Sequence, residues 1–236
     1  MNENENDVYF GLNEKKLSIS VFKQSDNSLA FFNEENININ PISENTDFQI
    51  LEKQLEKNIK KVEKKINSFV NNITLIVDMA NTLPIYISLT KKLDNKKIQQ
   101  KDIKHLIQDA KQQIARSYPE KYIVHIIVKK FIVNDIDYTF VPMDIDCNKI
   151  SIEIKFICFP KNLIKKIELL FYNFQITIDK IICSNYAKSF IDDSDAKNLC
   201  QIGHKLKNGF NKQEVVIVPK KLEKKGFFEK LFHLFR

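Results

Sequence analysis

The sequence predicts an α+β protein: a β-β-β-α-β unit, then a β-α-β-β-β-α-β unit, then a linker and a C-terminal amphipathic helix. Three patterns lead there. Short runs alternate apolar and polar residues at strand period, as Leu17, Ile19 and Val21 do. Longer runs step apolar residues by three and four, from Phe48 through Leu51, Leu55, Ile59, Val62 and Ile66 to Val70. The last dozen residues, Lys225–Arg236, gather four phenylalanines in a short basic segment.

In chain order, residues 1–7 are acidic and Asn-rich and are expected to be disordered. Val8–Leu12 and Leu17–Lys23 read as a hairpin continued by Ser28–Phe32, with Ile37–Ile42 as a further strand. Asp47–Val70 is the longest helical pattern, and the apolar run Ile73–Asp78 closes a first unit over 8–82. A second unit, 83–191, opens with the strand Ile85–Leu89 and a polar turn at Asp94–Lys97. Its first helix, Lys101–Ala115, carries Ile103, Leu106, Ile107, Ala110 and Ile114 on one face. Strands follow at Tyr122–Val133, Tyr138–Pro142 and Lys149–Phe159. Pro160 opens a helix, Lys161–Phe174, and Gln175–Cys183 is the closing strand. Helical stretches at Ser184–Ile191 and within 192–211 lead to a basic linker, 212–225, and a terminal helix, 226–236.

The 236 residues, 43% of them hydrophobic, are enough for one large core or two small ones. Of the net charge of +7, the stretch from Lys220 to Arg236 supplies four, with six Lys/Arg against Glu223 and Glu229. The remainder is too weak to argue for nucleic acid. Cys147, Cys158, Cys183 and Cys200 form no CxxC pair and sit in apolar runs, the pattern of reduced, buried thiols. With no basic n-region or apolar h-region at the N-terminus, no signal peptide is expected and the chain is assigned to the cytoplasm.

Catalytic chemistry finds little support. The four glycines (Gly11, Gly203, Gly209, Gly226) are too dispersed for a phosphate-cradling loop. His105, His125, His204 and His233 lack metal-ligand spacing, and His125, inside an apolar strand, reads as a core or pairing histidine. Asp144/Asp146 and Asp192/Asp193/Asp195 read as solvated turn acids. No nucleophile has a base within reach by sequence. The expectation is therefore a non-enzymatic protein with no catalytic residues, cofactor or metal.

The tail points elsewhere. At roughly 100° per residue, Phe227, Phe228, Leu231, Phe232, Leu234 and Phe235 share one helical face, opposite Glu229, Lys230, His233 and Arg236. Each apolar side chain fully buried at an acyl boundary brings roughly 1.5–3 kcal/mol. Lys224, Lys225, Lys230 and Arg236 each add about 1 kcal/mol beside an anionic leaflet. A spanning helix needs about 20 apolar residues, so this segment would lie in the interface plane. The competing reading is a terminal helix docked on the protein's own core.

Several segments resemble bacterial FtsA, the actin-like membrane adaptor of the division ring. Tyr86-Ile87-Ser88-Leu89 resembles the strand opening its inserted 1C, or SHS2, subdomain. Ile98–Ala115, with Asp102-Ile103 and Asp109-Ala110-Lys111, is similar to the helix that follows. Tyr122–Val133, Val141-Pro142-Met143 and Ile152–Phe159 with Lys161–Phe171 resemble its later strands and helix, and Asp179-Lys180-Ile181-Ile182 and Tyr186-Ala187 its exit. Aligning Gly11 on the family's first phosphate loop, however, puts Tyr9 where Asp belongs and Leu12 where Ser or Thr belongs. The family's second phosphate loop has no equivalent after Ala187, and no segment can supply the 2B subdomain that docks FtsZ. The resemblance implies part of subdomain 1A, all of 1C and the membrane helix: a nucleotide-free adaptor on the cytoplasmic face of the inner membrane, at the septum. It further implies division proteins as partners, with self-association, and no FtsZ docking. A pilus-assembly adaptor of the same superfamily is a variant of this reading, and a degenerate actin-like ATPase that still binds nucleotide is a separate one. The alternative of another class is a nucleic-acid binder stacking bases on Phe131, Tyr138 and Phe156, for each of which core packing is the favoured role.

Overall fold

The computed structural model describes residues 6–13, 15–37, 41–143, 145–191 and 199–215. In chain order the elements are β1 (Asn6–Asn13), β2 (Lys16–Lys23), β3 (Leu29–Asn36), α1 (Phe48–Ile66), β4 (Asn72–Val77) and β5 (Leu83–Lys97). They continue with α2 (Gln100–Ser117), β6 (Lys121–Val133), β7 (Ile136–Tyr138), β8 (Asp146–Pro160) and α3 (Lys161–Tyr172). The last are β9 (Thr177–Cys183), α4 (Ser184–Lys188) and α5 (Leu199–Lys207). Two sheets result, with strand orders β3-β2-β1-β4-β9 and β5-β8-β6-β7.

The first sheet is covered on both faces, which is why β1 reads as an unbroken apolar run. On one side Phe10 meets Phe171 of α3 edge to face, 5.6 Å between centroids. On the other, Tyr9 meets His204 of α5 at 5.3 Å and shares a hydrogen bond with it at 2.9 Å. Helix α1 starts where Asp47 Oδ1 accepts the Gln49 and Ile50 amides, and it buries Leu51, Leu55, Ile59 and Val62. Asn67, left-handed at φ 53°, ends it. On the opposite face α5 approaches closely through Gly203, where a Cβ would strike Ile76 Cδ1 and lie 2.9 Å from its Cγ1.

Gly11 serves the same contact. It sits mid-strand against Ser18, and a Cβ there would lie 3.3 Å from Cys200 Sγ of α5. The residues flanking this glycine are core: Tyr9 and Leu12 are essentially inaccessible. All four cysteines are buried, and Cys200 Sγ lies 3.4 Å from Ser18 Oγ.

Sheet membership departs from sequence order. The seven elements expected to form one unit over 83–191 divide at Pro160. Strand β9 pairs in parallel with β4, from Asn72 opposite Thr177 to Val77 opposite Cys183, and α3 buries Leu163, Ile167 and Phe171 in the first core. A strand's partner is set by a neighbour far away in sequence, so contiguity misplaced it. Smaller differences have local causes. Asn6 and Asp7, assigned to a disordered start, pair with Lys23 and Phe22. Asn134 and Asp135, both at positive φ, make the tight turn that moves the short β7 to 136–138. The turn at Asp94–Lys97 is only a brief interruption, after which Lys96 and Lys97 pair again with β8. The linker assigned to 212–225 begins as structure: the Val128 amide donates to Gln213 O and the Val215 amide to Ile126 O, at 2.9 and 2.8 Å. Of the further strand at 37–42, the described part is a bridge of Ile42 to Met79. The helix assigned within 192–211 is described only as Leu199–Lys207.

Replacing Gly203 with valine should cost about 2 kcal/mol or more of unfolding free energy, since the branched side chain must displace Ile76 in a filled core. Urea denaturation followed by circular dichroism measures it.

Candidate functional site

The second sheet is a platform with two unlike faces. Helix α2 covers one, placing Leu106, Ala110 and Ile114 over Ile126, Val128, Phe156 and Ile154. Its N-terminus is fixed by Asp102, whose carboxylate accepts the Gln99 amide at 3.0 Å and the Lys91 ammonium at 2.8 Å. The Lys91 ammonium, outweighing burial, holds that carboxyl below its ordinary value. Phe131 and Phe156 lie in this core, at 7% and 0% exposure, and Tyr138 packs against it, so none of the three forms an open stacking platform.

The opposite face divides along the strands. Across its outer part, Tyr86 is 66% exposed with the Lys155 ammonium 5.6 Å from its ring centre. Beside it run a Lys130–Glu153 ion pair at 3.5 Å and a Thr90–Ser151 hydroxyl bond at 2.6 Å. Among the described residues, strand β5 pairs only with β8 and forms an edge of the sheet. Nearer the first sheet the same face is buried: Ile127, Ile157 and Phe159 belong to the first core.

At that seam lies a buried polar network. The Cys183 amide of β9 donates to His125 Nε2 at 2.9 Å, so the proton of the neutral ring sits on Nδ1. Nδ1 then donates to Glu214 Oε1 at 2.8 Å. The other carboxylate oxygen, Oε2, accepts the Tyr186 hydroxyl at 2.9 Å, and that hydroxyl in turn accepts from Asn211 Nδ2 at 2.6 Å. Lys180 stands 3.9 Å from Oε1. Burial holds His125 below its ordinary value against the pull of Glu214. Burial also pushes Glu214 up, but His125, Lys180 and Tyr186 outweigh it and keep the carboxyl below the usual range. The arrangement is a neutral imidazole donating to a carboxylate. It fastens β6, β9, α4 and the segment Asn211–Val215 at one point.

Sequence placed His125 correctly as a pairing histidine but missed its partner. The available signal was Glu214 itself, a lone acid leading into the apolar run Val215–Val218. At the C-terminal ends of β4 and β9, Asp78 Oδ1 accepts the Asn185 amide and Oδ2 the Lys188 ammonium, both at 3.2 Å. The expected membrane-binding residues Lys224, Lys225, Phe227, Phe228, Lys230, Leu231, Phe232, Leu234, Phe235 and Arg236 lie outside the described residues, as do Asp144, Asp192, Asp193 and Asp195. No described helix is long and apolar enough to cross a membrane.

The second sheet also has a counterpart among known proteins. Residues 85–158 match the family model of the SHS2 domain inserted in FtsA. The match falls on β5–β8 and α2 and stops short of α3, which returns the chain to the first sheet. Among solved structures, the fold is similar to a chain of the PilM-PilN type IV pilus biogenesis complex, with a TM-score of 0.50 and 8% identity over 77% of this chain and 48% of that one. Fainter likenesses are to the cytoplasmic domain of EpsL, an inner membrane component of the type II secretion system of Vibrio cholerae (TM-score 0.34, 7% identity, 77% and 57% covered), and to a Bacteroides thetaiotaomicron protein with an actin-like ATPase fold (0.31, 8%, 79% and 55%). The chain spans about half the length of these structures. No curated protein matches it significantly in sequence. The architecture is α+β, two sheets of which the second matches the SHS2 domain.

Glu214→Ala should cost about 2–5 kcal/mol, because it strands the His125 Nδ1 proton and the Tyr186 hydroxyl in a buried site. With its folded value held below the ordinary 6.5, His125 contributes stability that is present above pH 6.5 and lost as pH falls below it. His204, also lowered by burial, adds a slope of the same sign. Urea midpoints measured from about pH 7.5 to about pH 5 should decline, and His125→Phe should remove part of that decline.

Proposed function

We propose that this chain is a membrane-tethered, non-enzymatic adaptor of bacterial cell division, presenting its SHS2 domain to protein partners while the basic, Phe-rich tail holds it on an anionic surface. The observation that carries this reading is the route of the chain. Gln213–Val215 is bound to the edge of β6, inside the SHS2 sheet, and the next residues lead to the tail. An adaptor needs its anchor and its interaction domain connected, and here the segment leading to the anchor starts on the SHS2 sheet itself. The solvent face around Tyr86 and Lys155, together with the open edge of β5, offers a partner both side chains and unshared backbone. Asp78, at the strand ends where open α/β sheets receive ligands, is engaged by Lys188 and the Asn185 amide, which supports a role without nucleotide.

The second reading, an adaptor of pilus or secretion assembly, is favoured by the likeness to a chain of a pilus biogenesis complex. A fluorescent fusion separates the two: division predicts a midcell band, and a pilus or secretion role predicts foci independent of septation. The tether is tested by co-sedimentation with anionic vesicles. Removing residues 226–236, or changing Phe228 and Phe232 together to Asp, should reduce binding by about tenfold or more. Binding that survives both changes would end the tether reading. Calorimetry with Mg-ATP should give no heat of binding.

A further inference from the structure

The end of α5 leads to an aromatic that the packing of the body covers only on one side. The helix closes in a Schellman motif: the Gly209 amide donates to Leu206 O at 3.2 Å and the Phe210 amide to Lys205 O at 3.0 Å, with Gly209 left-handed at φ +82°. In this motif the residue in Phe210's position ordinarily packs on an apolar side chain one turn back. Here the residue one turn back is Lys205, whose ammonium lies 5.9 Å from the ring centre, and Phe210 remains 56% exposed. Lys212 follows two residues later. Neither lysine has a carboxylate partner in an ion pair among the described residues. Phe190 backs the ring edge to face at 5.9 Å, so the phenyl group is held from behind and open in front.

We infer that Phe210, Lys205 and Lys212 form a second contact with the anionic bilayer, resting the body of the adaptor on the membrane beside its tail. This builds on the tether proposed above. An aromatic ring flanked by ammonium groups is the chemistry of the headgroup region: the ring enters the interface and the cations meet lipid phosphates. Chain continuity supplies the same occupant. Val215, held on β6, is only five residues beyond Phe210, and the eleven residues from there to Gly226 span at most about 40 Å when fully extended. A tail lying in the interface therefore keeps Val215, and with it this patch, within about 40 Å of the same surface.

The protein contains no tryptophan, so Phe210→Trp in the full chain is a single-site reporter. With vesicles of phosphatidylcholine and phosphatidylglycerol, its emission should shift to the blue and be quenched by lipids brominated in their acyl chains. Lys205→Glu combined with Lys212→Glu should weaken vesicle binding about tenfold or more. Vesicle binding with the emission of the introduced indole unchanged and unquenched would overturn this contact and leave the tether standing. Absence of any vesicle binding would overturn both. A blue shift that needs no vesicles and grows with protein concentration would assign the patch to a second copy of the chain, again overturning the contact.

Discussion

Leu83, the first residue of β5, lies opposite Cys158 near the end of β8, and the rest of the architecture depends on this pairing. Between β4 and β9 the chain travels about a hundred residues, and a parallel pair formed across so long a loop carries a considerable closure cost. The β5–β8 ladder reduces it by folding the intervening SHS2 domain back on itself, so that its entrance and exit stand side by side. Lys161 then starts α3 beside the first sheet, its amide bonded to Glu120 O at 2.9 Å, and β9 reaches β4 across a connection that is short in effect. The long excursion becomes an ordinary crossover.

The same closure leaves a seam, and its contents are polar where apolar packing would have sufficed. A buried histidine, carboxylate, phenol and amide bond to one another, each end tied to backbone or neighbouring charge. Such networks fix geometry more than they add stability, because removal of any member leaves others unsatisfied. Here the fixed geometry is the angle between the SHS2 sheet and the body, and the last contributor to it is Glu214.

Much of this is readable from sequence where the cause is local. The buried run of β1, the capped amphipathic α1 and the apolar face of α2 each carry their own pattern of three or four, or of two. Membership of β9 is not readable, since Ile178, Ile181 and Ile182 would suit either sheet and the choice depends on β4. Glu214 escapes notice because a single acid between a turn and an apolar run has no period to announce it. Gly11 aligns with a phosphate loop, whereas its role is the close approach of α5. The abundant asparagine has a structural role: Asn27, Asn67, Asn81, Asn95 and Asn134 take left-handed positions that glycine fills in most chains, and this chain has four glycines in all. The expected membrane-binding side chains belong to the tail and fall outside the described residues, so the visible site is the platform and its seam.

The strap formed by Gln213–Val215 has a mechanical consequence. Tension applied through residues beyond Val215 enters the body through two backbone hydrogen bonds to β6, each contributing a net of about 1 kcal/mol. Between them sits the Glu214 carboxylate, and behind them the β5–β8 ladder, which runs from Leu83 to Lys97. Under a pull, the Val215 amide leaves Ile126 O first, the Glu214 carboxylate leaves His125 and Tyr186 next, and Gln213 O leaves Val128 before the sheet is loaded. A fuse of this kind sets an upper limit on the force from beyond Val215 that reaches the joint between the two sheets.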